Sequence, residues 1–178
     1  YRQSDRVFID LLNKVRDNQA DAQVLSLLNS RYVPNFKPRE EEGYIRLTTH
    51  NAMAQQINNA ELEKLPGQTY MFKAVVEGKF PELSFPTDEV LELKKDAQVM
   101  FVKNDSSPEK RYYNGMIGRV TAINERGFVV QPKGTNEAIE VAPEEWENNR
   151  YELDEQTKEI KEVREGLFRQ YPIKTAWA

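Results

Sequence analysis

QVMFVKNDSSPEKRYYNGMIGRVTAI, residues Gln98 to Ile123, reads as two strands joined by a polar loop. Val99, Met100, Phe101 and Val102 form an apolar run that stops at Lys103-Asn104-Asp105, and a second run, Met116 to Ile123, begins behind Asn114-Gly115. The first run has too few polar residues for a strand wet on one side, so both of its faces are expected to be covered. Gly115 and Gly118 mark a bend or bulge where a side chain would collide. A small closed barrel accommodates all of these features.

Downstream, short apolar runs recur between tight turns. Val90–Leu93 precedes the quoted stretch, Phe128–Gln131 follows the turn Asn124-Glu-Arg-Gly127, and Ala138–Val141 follows Gly134. Five such strands predict a small all-β barrel over residues 89–170. Pro143-Glu-Glu-Trp146 is expected to be a short helical turn, with Trp146 as a lid on the barrel rather than a ligand platform, because an indole buries so much area. Arg150–Leu153 and Ile160–Phe168 flank Asp154-Glu-Gln-Thr157 as a hairpin, and Tyr171 to Ala178 is expected to return to the first domain.

Upstream the periodicity changes. Ser4 and Asp5 precede Phe8, Ile9, Leu11, Leu12 and Val15 at helical spacing, which predicts a capped helix from Asp5 to Asn18, and Asp21 to Asn29 repeats the pattern. Pro34, Pro38 and Arg39-Glu-Glu-Glu42-Gly43 make a loop. Tyr44–Leu47 reads as a strand, Thr48-Thr49-His50-Asn51 as a polar turn, and Ala52 to Leu65 as a helix ended by Pro66-Gly67. A strand, a polar turn and a helix N-terminus together hold anions in many α/β proteins, since unpaired backbone N–H groups and the helix dipole both point at the turn. The alternative is that Thr49 or Asn51 merely caps the helix, and the two roles can coexist. Gln68–Val76 reads as a further strand and Phe80–Thr87, with Pro81 and Pro86, as an extended connector. The class is α/β: residues 1–88 form an incomplete layer, 89–170 an inserted barrel with a hairpin, and 171–178 a return strand.

With 178 residues, 39% hydrophobic, the chain is long enough for two small domains. No apolar run approaches the roughly 20 residues that cross a bilayer, and the start lacks a secretion signal, so a soluble, cytoplasmic protein is expected. Zero cysteines and a single histidine speak against structural zinc. The net charge of −4 conceals a split: Lys94 to Lys133 carries eight lysines and arginines against four acids, whereas Glu137 to Glu165 carries eleven acids and four bases. This segregation is either two solvated surfaces or a basic face that meets phosphates. The chain starts at Tyr1 and ends in the apolar run to Ala178, which is expected of a piece excised from a longer protein.

Several chemistries lack their residues. The only Gly-Lys pair, Gly78-Lys79, is followed by Phe80 and has no glycine five residues ahead, so no phosphate-cradling loop is present. His50 has no G-x-S-x-G elbow to serve, and the glutamates single out no catalytic pair. On its own the chain is expected to turn nothing over.

The motifs do resemble a family. Tyr1-Arg2-Gln3-Ser4-Asp5, followed by Phe8-Ile9, Leu11-Leu12-Asn13 and Arg16, resembles the fourth motif of the Pif and RecD-like branch of superfamily one DNA helicases. Leu47-Thr-Thr-His-Asn51 with Ala54 and Ile57-Asn58 is similar to the next block. Leu65-Pro-Gly67, Val99 to Asn104, Asn114-Gly115 with Gly118 and Val120, and Tyr171-Pro-Ile173 with Ala176-Trp-Ala178 continue it in order. The resemblance implies part of the second RecA-like domain of a split motor, carrying an inserted Src-homology-type barrel. It further implies ATP and magnesium bound between the two RecA-like halves of the complete motor, none bound to this piece alone, and the first RecA-like domain of the same parent chain and single-stranded DNA as partners. Carried over, Arg2 would contact the γ-phosphate. Thr48, Thr49, His50 and Asn51 would face the strand, donating to phosphates without reading sequence, and Lys103 and Asn104 could meet DNA beside Lys110-Arg111. Asp96 departs from the family pattern, which often has glycine at this turn. The acidic stretch after Glu137 is expected to face away from DNA. The rival readings are a protein-interaction module, with Tyr112, Tyr113, Phe128 or Trp146 forming a peptide groove, and a scaffold that has lost its motor function.

Overall fold

The computed structural model describes residues 5–37, 39, 42–153 and 159–178. They fall into two compact units, Tyr1–Pro38 and Arg39–Ala178.

In the first unit both helices start at aspartates. Asp5 accepts the N–H of Phe8 at 3.1 Å and opens α1 (Arg6–Arg16), and Asp21 accepts that of Val24 at 2.8 Å and opens α2 (Ala22–Asn29). Asn18, at φ 56°, turns the chain between them, a conformation that asparagine tolerates better than most residues. Among the described residues of this unit only Val24 is buried; Phe8, Leu12 and Val15, the apolar stripe of α1, remain 39%, 47% and 46% exposed.

The second unit holds α3 (Asn51–Lys64) and ten strands: β1 (Tyr70–Lys73), β2 (Val75–Gly78), β3 (Val90–Leu93), β4 (Gln98–Phe101), β5 (Ile117–Asn124), β6 (Gly127–Pro132), β7 (Ile139–Glu140), β8 (Glu144–Leu153), β9 (Ile160–Gln170) and β10 (Ile173–Thr175). β10, β4, β5, β6 and β7 lie side by side in that order, β2, β9 and β8 form a second sheet, and β1 pairs with β3. The pairings are antiparallel. Alternation explains the core: in β6 every second residue, Phe128, Val130 and Pro132, is buried, and Phe128 and Val130 share a cluster with Val120 of β5 and with Val99 and Phe101 of β4. Leu91, Leu93 and Ile173 are fully buried with them, each worth about 1.5–3 kcal/mol in water-excluded area. Phe72, Phe128 and Tyr171 pack with ring centroids 4.7 to 5.3 Å apart.

The structure departs from the sequence reading in several places. The sheets are open, and the five-stranded one ends at β10 and β7 instead of closing into a barrel. Tyr44–Leu47 joins no ladder: the Tyr44 carbonyl accepts from the Gln98 side chain and the Arg46 N–H donates to the Trp177 carbonyl, so an extended strap replaces the expected strand. Pro143 to Trp146 is not a helical turn, because β8 begins at Glu144 and sets Trp146 opposite Phe168, with ring centroids 6.0 Å apart. The closing run splits in two, Ile173–Thr175 pairing with β4 while Trp177 and Ala178 meet α3. The hairpin is longer than expected, its turn Asp154 to Thr157 lying outside the described residues, and the β2–β9 pairing runs across residue 88.

Gly118 and Gly166 are among the glycines that permit close approach. Gly118 lies under Val130, whose Cγ1 would stand 2.4 Å from an added Cβ. Gly166 faces backbone: a Cβ there would sit 2.4 Å from the Lys79 carbonyl oxygen, in the place where the Lys79 N–H donates to Glu165 O at 2.8 Å. Backbone cannot rotate away as a side chain can, so Gly166→Ala is expected to lower stability by about 2 kcal/mol in a urea titration. A loss below about 0.5 kcal/mol would show that β2 and β9 shift apart freely.

Candidate nucleic-acid interface

Thr48, Thr49, His50 and Asn51 come together at the start of α3. His50 is the residue before the first helical turn, with extended backbone (φ −136°, ψ 136°), and its carbonyl accepts from the N–H groups of Met53 and Ala54. No side chain caps the helix. Neither expected cap forms: Asn51 is itself the first helical residue and the Thr49 hydroxyl lies 2.8 Å from His50 Nδ1, while the Thr48 hydroxyl donates to the His50 carbonyl at 3.2 Å. Thr49, His50 and Asn51 are exposed and Thr48 half-buried. An exposed, uncapped first turn presents N–H groups and the positive end of the helix dipole to solvent, which suits an anion.

The far end of α3 is finished differently. The Lys94 ammonium donates to the carbonyls of Leu65 at 2.8 Å and Glu63 at 3.4 Å, a cation at the negative end of the dipole. Asn58 anchors the middle: buried, it donates to the carbonyls of Thr175 and Ala178 and accepts the N–H groups of Trp177 and Ala178, both at 2.8 Å. Leu62, one turn on, enters the core. Sequence reasoning missed these anchors; a polar residue one turn before an apolar one on the same helix face is the only signal of them.

Lys103 and Asn104 sit elsewhere, at the base of the loop between β4 and β5, and both are engaged. The Lys103 ammonium bonds Glu144 at 2.9 Å and the Glu145 carbonyl at 2.7 Å, and lies 5.0 Å from the centre of the Trp146 ring. Asn104 Oδ1 accepts the N–H of Asn114 at 2.8 Å. The loop is organised about Asp105, a buried carboxylate that accepts from the backbone of Ser107 and Arg111 and from the Arg111 guanidinium, while the Lys110 ammonium donates to the Asp105 carbonyl. Burial opposes that charge, but the hydrogen bonds from Ser107 and Arg111 outweigh it and hold the carboxyl near a pKa of about 2. Beside it Tyr112 stacks on Phe101 at 4.2 Å, and its phenol is pushed up to about 12 by burial first and then by the charges of Glu144 and Asp105. The basic loop read from the sequence is thus largely neutralised from within. Arg2 lies outside the described residues.

The acidic stretch forms the β8–β9 hairpin, where Glu147 pairs with Arg164 at 3.4 Å and Glu165 with Arg150 at 3.6 Å. Exposed pairs of this kind contribute little to stability. No helix among the described residues is long and apolar enough to cross a membrane.

No protein-family model matches the chain. Individual proteins do. The ATP-dependent DNA helicase RRM3 of Saccharomyces cerevisiae is 30% identical over 145 residues, 75% of this chain and 19% of that protein, and the human ATP-dependent DNA helicase PIF1 is 32% identical over 133 residues, 71% and 20% respectively. The chain therefore spans about a fifth of the length of these relatives. Among solved structures, Bacteroides sp Pif1 in complex with ADP-AlF4 superposes over the whole chain, 40% of its own, with a TM-score of 0.86 at 33% identity. The same coverage against Bacteroides Pif1 bound to ssDNA gives a TM-score of 0.68 at 34% identity. By sequence and by fold, the chain is a homologue of the Pif1 and RRM3 DNA helicases over one stretch of their length.

Proposed function

We propose that the parent protein is an ATP-driven DNA-unwinding motor, in which this stretch contributes part of the single-strand track and one side of the ATP cleft and does not act alone. The observation that carries the reading is the bare start of α3, where Thr49, His50 and Asn51 are exposed over a first turn that no side chain caps, in a chain whose solved relatives include a Pif1 bound to ssDNA. Asn51 and the first-turn N–H groups donate hydrogen bonds to strand phosphates, Thr49 joins them when its hydroxyl accepts from the His50 Nδ1–H, and Thr48 frames the turn by donating to the His50 carbonyl. Such contacts hold the backbone without reading bases. Arg2 takes the γ-phosphate role, with ATP and magnesium supplied by the complete motor and its first RecA-like domain. Lys103 and Asn104 play the lesser part, since reaching a phosphate costs them the partners they already hold.

The peptide-groove reading loses support at two of the four aromatic residues it names. Tyr112 is 5% and Phe128 2% exposed, so neither ring can line a groove.

The test is a titration of the chain with fluorescein-labelled oligo-dT at low and moderate salt. Weak binding that falls as salt rises is expected, and a Thr49→Ala, Asn51→Ala double variant should weaken it by about tenfold, the value of one or two hydrogen bonds to a charged group. Absent or salt-insensitive binding, or a double variant that binds like the parent, would overturn the proposal.

A further inference from the structure

The two sides of the Thr48–Asn51 turn are held with very different firmness. Downstream, α3 is fixed by the four bonds of buried Asn58, by Leu62 in the core and by Lys94. Upstream, the strap Glu42–Arg46 belongs to no ladder and is held by individual ties. Gln98 Nε2 donates to the Tyr44 carbonyl at 3.0 Å, and the Arg46 N–H reaches the Trp177 carbonyl at 2.9 Å. A further tie comes from Lys133, an exposed residue just past β6. Its ammonium donates to the Glu42 carbonyl and lies 6.0 Å from the centre of the Tyr44 ring. Gly43, at φ 58°, lets the strap lie flat, since a Cβ there would stand 3.2 Å from Lys133 Cδ.

We infer that Lys133 is a positioning residue for the strand-binding turn: by clamping Glu42 and Tyr44 to the sheet it fixes the path of the chain into Thr48–Asn51 without touching the nucleic acid. This rests on the reading of that turn as a phosphate-contact site. With the clamp removed the strap keeps point ties such as those to Gln98 and Trp177 but no ladder, whereas α3 keeps its buried anchors, so the upstream half of the turn is the half that loosens. A loosened turn must be ordered again when DNA binds, and that cost appears as lost affinity. Gln98 acts in the same direction but is buried and also bonds the Ala176 carbonyl, which makes Lys133 the cleaner probe.

His50 is the only histidine, so its imidazole resonances report on this turn alone. The experiment follows them by NMR in the 178-residue chain, free and with oligo-dT. In the parent, DNA should displace the signal. In Lys133→Met, which keeps the apolar stem, the signal should already be displaced or broadened without DNA, affinity should fall about fivefold, and Lys133→Arg should restore both. The slope of log Kd against log salt should be unchanged, because a lysine that touched phosphate would lower it by about one. Gly43→Val, with Lys133 intact, should displace the same resonance while the amides of β5 and β6 stay in place. An unmoved His50 signal in the DNA-bound parent overturns the strand-contact reading and this inference together. A signal that moves with DNA but not with Lys133→Met, or a slope reduced by about one, overturns the inference alone.

Discussion

Asn58→Ala is expected to lower the stability of the second unit by about 3 kcal/mol. The side chain is 6% exposed and uses all of its amide: two carbonyls accept from its nitrogen and two N–H groups donate to its oxygen. Truncation strands those backbone groups between a helix and a sheet edge, where water enters poorly. Asn58→Asp separates the halves, because a carboxylate still accepts from Trp177 and Ala178 but repels the carbonyls of Thr175 and Ala178. It should cost nearly as much as alanine. Urea unfolding followed by tryptophan emission measures both, Trp177 lying beside the lost bonds. A loss under about 1 kcal/mol for alanine would mean that the closing segment is held by Gln98, Thr87 and the β10 pairing alone.

Asp105→Asn should cost about 2–3 kcal/mol at neutral pH, because the isostere keeps one acceptor for Ser107 and turns its amino group toward the Arg111 N–H. The sign of its pH dependence follows from the lowered folded-state pKa. A carboxyl held near 2, against an ordinary 3.8, contributes stability that is fully present above about pH 4 and is lost as pH falls through 2. The gap between parent and Asp105→Asn is therefore flat from pH 7 to about 5 and closes below 4. A gap that persisted at pH 2 would show that the carboxylate charge contributes nothing, and that shape alone holds the loop.

The elements were legible wherever a local signal sufficed. Asp5 and Asp21 mark their helices three residues ahead of the N–H groups they accept, and Phe128, Val130 and Pro132 show the two-residue period of a strand with one face inside. The failures have one source, which is a partner distant in sequence. Tyr44–Leu47 has the composition of a strand, but its bonds go to Gln98 and Trp177, and no strand edge lies alongside it. Lys103 reads as a free cation until Glu144, 41 residues on, neutralises it. Pro143 before two glutamates imitates a helix start, yet Phe168 draws Trp146 into a ladder. Of the candidate site, the turn at 48–51 was visible as a run of polar residues before a helix. The clamp that supports it was not, because nothing in the neighbourhood of Lys133 points to Glu42.

The stripe of Phe8, Leu12 and Val15 along α1 bears on handling the chain in solution. Apolar side chains left wet on one helix favour any surface that takes them out of water, including the same stripe on another molecule. Concentrated samples should therefore be stickier than a surface rich in lysine and glutamate suggests, with the clumping starting from the amino-terminal helix and leaving the sheets folded.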